Sequence, residues 1–323
     1  MTSEEIEKKL PRKFVEKIKK IFPAQLIPDI LKTFAIKRPT TFRINTLKIS
    51  RREALEEFRR LGIKVKEVLW YPDAFILTFP DLQTLSTTHL YQEGKIYVQN
   101  LSSMLPPLLL NPQSEDKVLD LTAAPGSKTT QISALMHNRG EVIAIEKDKA
   151  RFEKLLANMR LQGVENVKVY NRDGIGIWRE YFEYFDKVLV DAPCTSEGRF
   201  NILRPKTYRY WNQLKVKRMA KKQKGLIVTG FKCLKPGGSL VYSTCTFSPE
   251  ENEFVINYLL KKFPQSCRIE EVKMGIKNIM PGLIRWNEVR LPQEIKNCIR
   301  VIPTELMEGF FICLLTKTKS LGE

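Results

Sequence analysis

The chain has 323 residues with 43% hydrophobic content, enough for one large α/β core and a smaller appended unit, so two domains are expected. Lys and Arg number 54 against 36 Asp and Glu, giving a net charge of +18 and a pI near 9.6. That is well beyond what solubility requires and indicates a polyanionic partner. No apolar run reaches the length of a spanning helix, and no signal peptide or lipidation motif is found. A membrane is therefore set aside in favour of nucleic acid, with a cytoplasmic location as the expectation. The six cysteines (Cys194, Cys233, Cys245, Cys267, Cys298, Cys313) form no Cys-x-x-Cys pair, and the histidines are His89 and His137. Neither a metal site nor a disulfide framework is expected, and most of the thiols should be reduced, buried and apolar in behaviour. Nothing in the chain calls for an oligomer, and a monomer is expected.

Residues up to Phe22 are rich in Lys and Glu with apolar residues at helical spacing, which predicts an amphipathic helical cap divided at Pro11. A strand is expected over 41–45, then a helix that begins at Ser50 with a capping box to Glu53 and ends near Gly62. Strands over 63–68 and 74–78 complete a small basic α+β unit, residues 1–92, with a role in RNA binding. From residue 93 to 323 strands alternate with helices, which predicts a doubly wound parallel, Rossmann-like sheet. The strands fall at 117–121, 141–145, 167–170, 187–190, 239–243 and 310–316, and the main helices at 128–136, 149–162, 214–233 and 249–263.

Ligands of such sheets sit beyond the carboxyl ends of the strands. The first strand runs into Thr122, Ala123, Ala124, Pro125, Gly126, Ser127 and Lys128, a turn of small residues that lets backbone approach a ligand. It has neither the Walker spacing nor Gly-x-Gly-x-x-Gly. Glu146 closes the second strand about 20 residues past Gly126, where a carboxylate can accept from ribose hydroxyls. Asp173, after the third strand, is placed to bind an adenine amino group, although any one of these acids can equally be a loop residue or helix cap. Together, in this order, they fit S-adenosyl-L-methionine.

The fourth strand ends in Asp191-Ala-Pro-Cys194 and the fifth in Ser243-Thr-Cys245, so two thiols reach the ligand edge. Methylating carbon 5 of cytosine needs prior addition of a thiolate at carbon 6, then loss of the carbon 5 proton and elimination of the thiol. Cys245, Asp191 and Cys194, with Lys128 beside them, can supply a nucleophile, an acidic group near N3 and a group assisting release. The residue chemistry alone does not choose which thiol attacks.

Residues 98–131, the segment Asp191-Ala-Pro-Cys-Thr-Ser-Glu-Gly198 and the segment Ser243-Thr-Cys-Thr-Phe-Ser-Pro-Glu-Glu-Asn-Glu253 together resemble the Sun/NSUN family of S-adenosylmethionine-dependent RNA cytosine-5 methyltransferases. The likeness covers about 95–323, and Arg43-Ile-Asn45 resembles the N-terminal part of the same family. It implies that Thr122 to Lys128, Glu146, Asp173 and Asp191 line the methyl-donor pocket. It also implies that Cys245 attacks the base and Cys194 helps release the product, the reverse of the assignment in DNA cytosine-5 methyltransferases. Glu308-Gly-Phe-Phe311 departs from the family's Asp-Gly-Phe-Phe.

The segment 199–211 and Lys215, Lys217, Arg218, Lys221, Lys222 and Lys224 on the following helix offer cations for phosphates. Phe200, Tyr208, Tyr210 or Trp211 can stack on unpaired bases. Arg43 and Asn45 either touch RNA or are structural. Ser248, Pro249 and Glu251 read as an N-cap, first turn and capping box, so Glu250 and Glu251 are expected to cap a helix. The substrate is expected to be ribosomal or transfer RNA with the target in a loop or melted stem. The rival readings are a DNA cytosine-5 methyltransferase and a non-catalytic RNA-binding assembly factor.

Overall fold

The computed structural model describes residues 1–322. Three short helices open the chain: α1 (Ser3–Lys9), α2 (Arg12–Ile21) and α3 (Ile27–Thr33). As expected, Pro11 stands between the first two. Their apolar faces do not pack on the small sheet. Phe14, Ile18 and Phe34 form one core with Phe200, Phe247 and Trp286, so these helices close over loops of the larger unit.

The small sheet has the order β2-β3-β1-β4 and is antiparallel throughout. Its strands are β1 (Thr41–Ile44), β2 (Lys64–Glu67), β3 (Ala74–Phe79) and β4 (Ile96–Val98). Helix α4 (Arg51–Arg60) starts at Ser50 with the expected capping box to Glu53, and it packs Phe58 against Phe42 and Phe75. Two short helices, α5 (Leu82–Ser86) and α6 (His89–Gln92), precede β4. Because β4 pairs with β1, the small sheet draws in residues beyond 92.

Helix α7 (Leu101–Leu110) contains Pro106 and Pro107 and is buried over most of its surface. With a proline pair and no polar stripe, it shows none of the periodicity by which helices are recognised, and the sequence alone did not reveal it. The large sheet then follows. Its strands are β5 (Lys117–Asp120), β6 (Glu141–Glu146), β7 (Val167–Asn171), β8 (Phe185–Asp191) and β9 (Leu234–Thr244). These run parallel in the order β9-β8-β5-β6-β7. Between them lie α8 (Ser127–Leu135), α9 (Lys149–Gln162), α10 (Gln213–Cys233) and, after β9, α11 (Glu253–Lys262). Along β5 the side chains alternate between two cores: Leu119 joins Ile143 and Val188 on one face, while Val118 joins Val142 and Leu189 on the other. Burial on both faces explains the nearly continuous apolar runs.

The sheet is mixed and not wholly parallel. Beyond β9 come β10 (Cys267–Ile269), β11 (Ile279–Pro281), a ribbon of β12 (Arg285–Trp286) with β13 (Val289–Arg290), β14 (Ile299–Val301) and β15 (Phe310–Lys317). β15 is antiparallel to β9, and β14 and β11 extend that edge. Helix α11 also begins at Glu253 and not at Pro249, which changes the reading of the acids before it.

Candidate active site

The carboxyl ends of β5, β6, β8 and β9 open on a cavity of ≈ 480 Å³. Thr122, Ala124, Pro125, Ser127, Lys128, Glu146, Asp173, Asp191, Cys194 and Cys245 all line it. Ala123 and Gly126 do not. Ala123 is buried with Leu155 and Met159, and Gly126 holds φ +108°, where a Cβ would also stand 2.7 Å from Met159 Cε. These two shape the turn while their neighbours face the cavity.

At one end Glu146 is nearly buried, accepts from the Asp148 N–H at 2.8 Å and stands 3.5 Å from Arg151. Asp173, partly exposed, accepts from the Ile175 N–H at 3.0 Å and pairs with Lys147 at 2.6 Å. Below the turn Asp120 is fully buried, accepts from Thr129 at 2.7 Å, and is raised to about 6 by burial. A carboxylate pair flanking a turn of small residues, beside a cavity of this volume, fits a nucleoside-bearing sulfonium with free ribose hydroxyls and an adenine amine.

At the other end Lys128 Nζ donates to Asp191 and to Ser103, each at 2.7 Å, and Ser243 donates to the second Asp191 oxygen at 2.7 Å. Cys194 Sγ and Cys245 Sγ are 3.4 Å apart. Ser196 holds left-handed backbone at φ 56°, unusual for a side chain other than glycine. Its hydroxyl is thereby 3.4 Å from Cys245 and 3.8 Å from Cys194. The contact with Cys194 lowers Cys245 below the ordinary thiol range against the opposing effect of burial. The Arg199 charge and the Ser196 hydroxyl act in the same direction. The same contact, then burial and the nearby Cys245 and Glu251 charges, pushes Cys194 well above that range. The other four cysteines are buried and unpaired by disulfides.

Glu250 and Glu251 are not a helix cap. Glu251 is fully buried, and Thr195, next to Cys194, gives it both its N–H (3.0 Å) and its hydroxyl, while Gln223 donates at 2.9 Å. Burial, with the Glu197 charge adding to it, raises Glu251 to about 8. Ser248, the expected N-cap, instead donates to Glu197 at 2.5 Å and accepts from Lys17 of α2 at 2.6 Å. Glu197 also accepts from Trp211 at 2.8 Å and from the Phe247 N–H at 3.0 Å. Asn252 braces Cys245 from both sides: it accepts from Thr244 at 2.6 Å and donates to the Thr246 carbonyl at 3.0 Å. Glu253 forms a buried pair with Arg300, which also donates to the Phe247 carbonyl at 2.9 Å. Glycine permits the final closure: a Cβ on Gly198 would lie 2.1 Å from the Gly309 carbonyl oxygen, and one on Gly309 2.1 Å from the Phe247 ring.

Several residues that the sequence offered as RNA contacts are held inside the protein instead. Arg43 is fully buried and donates to Gln99 (2.9 Å), Thr130 (2.7 Å) and the Ser127 carbonyl (3.3 Å). Asn45 donates to the Gly94 and Gln162 carbonyls. Together they fasten the small sheet to the start of α8 and to the end of α9. Phe200 and Trp211 belong to the core beneath α2, while Tyr210 stays exposed. Sequence reasoning missed Ser196, Glu197, Asn252, Glu253 and Arg300; the one signal was the acid-rich run directly after Cys245.

A model of the 16S rRNA methyltransferase RsmB/F family matches residues 107–316, and one of the N-terminal domain of 16S rRNA methyltransferase RsmF matches residues 10–101. The chain belongs to the RsmB/F methyltransferase family. It is 37% identical over 314 residues to the ribosomal RNA small subunit methyltransferase F of Vibrio campbellii, covering 95% of this chain and 63% of that protein. The chain thus spans less than two thirds of the length of such relatives. It is 36% identical to the tRNA (cytosine(49)-C(5))-methyltransferase of Pyrococcus abyssi, covering 97% of this chain and 98% of the other. Among solved structures, that of NSun6 from Pyrococcus horikoshii with SFG superposes with a TM-score of 0.81 at 26% identity, covering 97% of this chain and all (100%) of the other. Among the described residues no helix is long and apolar enough to cross a membrane.

Proposed function

We propose that this RsmB/F family member transfers a methyl group from S-adenosyl-L-methionine to carbon 5 of a cytosine in ribosomal or transfer RNA, with Cys245 as the nucleophile. The observation that carries the reading is the thiol pair, 3.4 Å apart beside the Asp191–Lys128 pair, with the Ser196 hydroxyl 3.4 Å from Cys245 and the Arg199 charge favouring a thiolate there. Thr122, Ala124, Pro125, Ser127, Lys128, Glu146 and Asp173 hold the donor, on a turn shaped by Ala123 and Gly126; when bound it supplies an electrophilic methyl group. Cys245 Sγ adds to carbon 6, and the electron pair of the 5,6 double bond becomes available at carbon 5. Asp191, oriented by Lys128 and Ser243, faces the N3 and amine edge of the base. Once Cys245 is a thioether, the neighbour that most strongly raised Cys194 no longer carries charge. Cys194 then loses its proton to solvent in the cavity and, as thiolate, takes the carbon 5 proton; that C–H electron pair re-forms the 5,6 double bond as the carbon 6 to sulfur bond breaks, leaving Cys245 as thiolate and Cys194 as thiol.

The order of events yields opposite signatures for the two thiols. Cys245→Ala should abolish methyl transfer and leave no RNA adduct in denaturing electrophoresis. Cys194→Ala should accumulate methylated RNA still bonded to Cys245 as a denaturant-stable band. An adduct in Cys245→Ala and none in Cys194→Ala would exchange the roles. Bisulfite sequencing of total RNA from cells with and without the gene identifies the target.

A further inference from the structure

Between Gly198 and Pro249 the chain carries twelve Lys or Arg and no Asp or Glu. Among the described residues, Arg199 (with Glu308) and Lys235 (with Asp186) have acidic partners, and the other ten have none. An uncompensated charge of this density opposes folding through self-repulsion and is explained by an anionic ligand.

Helix α10 sorts these cations by position. Val216, Ala220, Gln223, Leu226 and Ile227 face the core, whereas Lys215, Arg218 and Lys222 fall at i, i+3 and i+7 on the accessible side. At one end of this row Lys222 lines the active-site cavity. At the other, Lys215 and Arg218 line a second depression of ≈ 390 Å³ with Tyr210, Asn212 and Leu214. Tyr210 is 65% exposed and Leu214 77% exposed, and the Arg209 guanidinium stacks 4.4 Å from the Tyr210 ring centre. The row is short, about 10 Å from Lys222 to Lys215 at the helical rise. A strand whose target base enters the cavity can reach the depression with its immediate neighbours.

We propose that α10 and the Tyr210–Leu214 shelf hold the single-stranded RNA that flanks the target cytosine. Lys215, Arg218 and Lys222 pair with its phosphates, and Tyr210 takes one unpaired neighbouring base in face contact. The proposal rests on the RNA methyltransferase reading and names the form of RNA that site accepts. Single-stranded RNA fits better than a lipid surface because the row leads into a concave reactive site and ends on an aromatic platform. The target base must in any case leave its stack to reach Cys245.

Tyr210→Ala and Arg218→Ala test this, since both side chains are exposed and neither belongs to the catalytic machinery. Binding of unfractionated transfer RNA by Arg218→Ala should show a salt slope smaller by about 1. On an oligonucleotide carrying the cytosine identified by bisulfite sequencing, Tyr210→Ala should raise the RNA KM about ten-fold, with kcat and donor affinity unchanged. Abasic substitution at one flanking position should cost the wild type the same factor and cost Tyr210→Ala nothing more. Unchanged KM and salt slope in both variants, or equal abasic losses for wild type and Tyr210→Ala at every position, would overturn the proposal. So would variants that lose binding to anionic phospholipid vesicles while keeping RNA affinity. A wild type that binds RNA with these slopes but methylates none would instead sink the enzymatic reading and leave the track standing.

Discussion

At the donor end of the cavity most partners of the acids are near in sequence, Glu146 being held by Asp148 and Arg151 and Asp173 by Ile175, with Lys147 the one from farther away. At the cysteine end the partners are remote. Cys194 and Cys245 are 51 positions apart, Arg300 reaches Glu253 across 47, and Lys17 reaches Ser248 across 231. The donor end is assembled from separate strand ends whose acids have few, mostly local partners, so losing one side chain there disturbs little beyond its own contacts. The cysteine end is a buried polar network in which each carboxylate depends on donors from other segments, so losing one partner strands a charge. Binding needs only a shaped frame, whereas placing two sulfurs in contact needs loops that cannot shift.

The largest effect separating the two ends should come from Arg300→Met. It leaves Glu253 buried and unpaired and frees the Phe247 carbonyl, at a cost of about 3–5 kcal/mol, measured by urea denaturation. Arg300→Met with Glu253→Leu should recover most of that. A loss below about 1 kcal/mol for the single variant would place the cysteine end on a par with the donor end.

Glu251 gives the next effect, on pH dependence. Its pKa in the folded protein, raised to about 8 by burial, lies above its ordinary value of 4.5, so the native state holds an extra proton between those values. Its contribution to stability is fully present below pH 4.5 and is lost as pH rises through 8, on the order of a few kcal/mol. Thermal unfolding from pH 5 to 9 should therefore show the wild type losing stability and Glu251→Gln losing less. Parallel curves for the two proteins would remove Glu251 from that role.

Smaller still is Glu146→Ala, which should weaken donor binding about ten-fold or more through lost charge-assisted hydrogen bonds, with RNA affinity and folding stability little changed. Calorimetry that finds unaltered donor affinity would take Glu146 out of the site. Asp173→Ala, already shared with Lys147 and more exposed, should cost only a few-fold by the same measurement.

The sequence by itself determined the parallel strands, the donor turn and the positions of both thiols. Continuous apolar runs, a cluster of small residues and strand-end motifs are local patterns, and local patterns follow directly from backbone geometry. The Ser50–Glu53 capping box was legible for the same reason, since its two partners lie three residues apart. Only the tertiary structure decided that Ser248 and Glu251 are not such a box. Their hydrogen-bonding groups are drawn away by Lys17, Glu197, Thr195 and Gln223, none of which is near in sequence. It also decided that Arg43 is an internal fastener and that the two thiols stand in contact, 3.4 Å apart. A buried charge is set by what surrounds it in space, and for these residues the surroundings come from four separate segments of the chain.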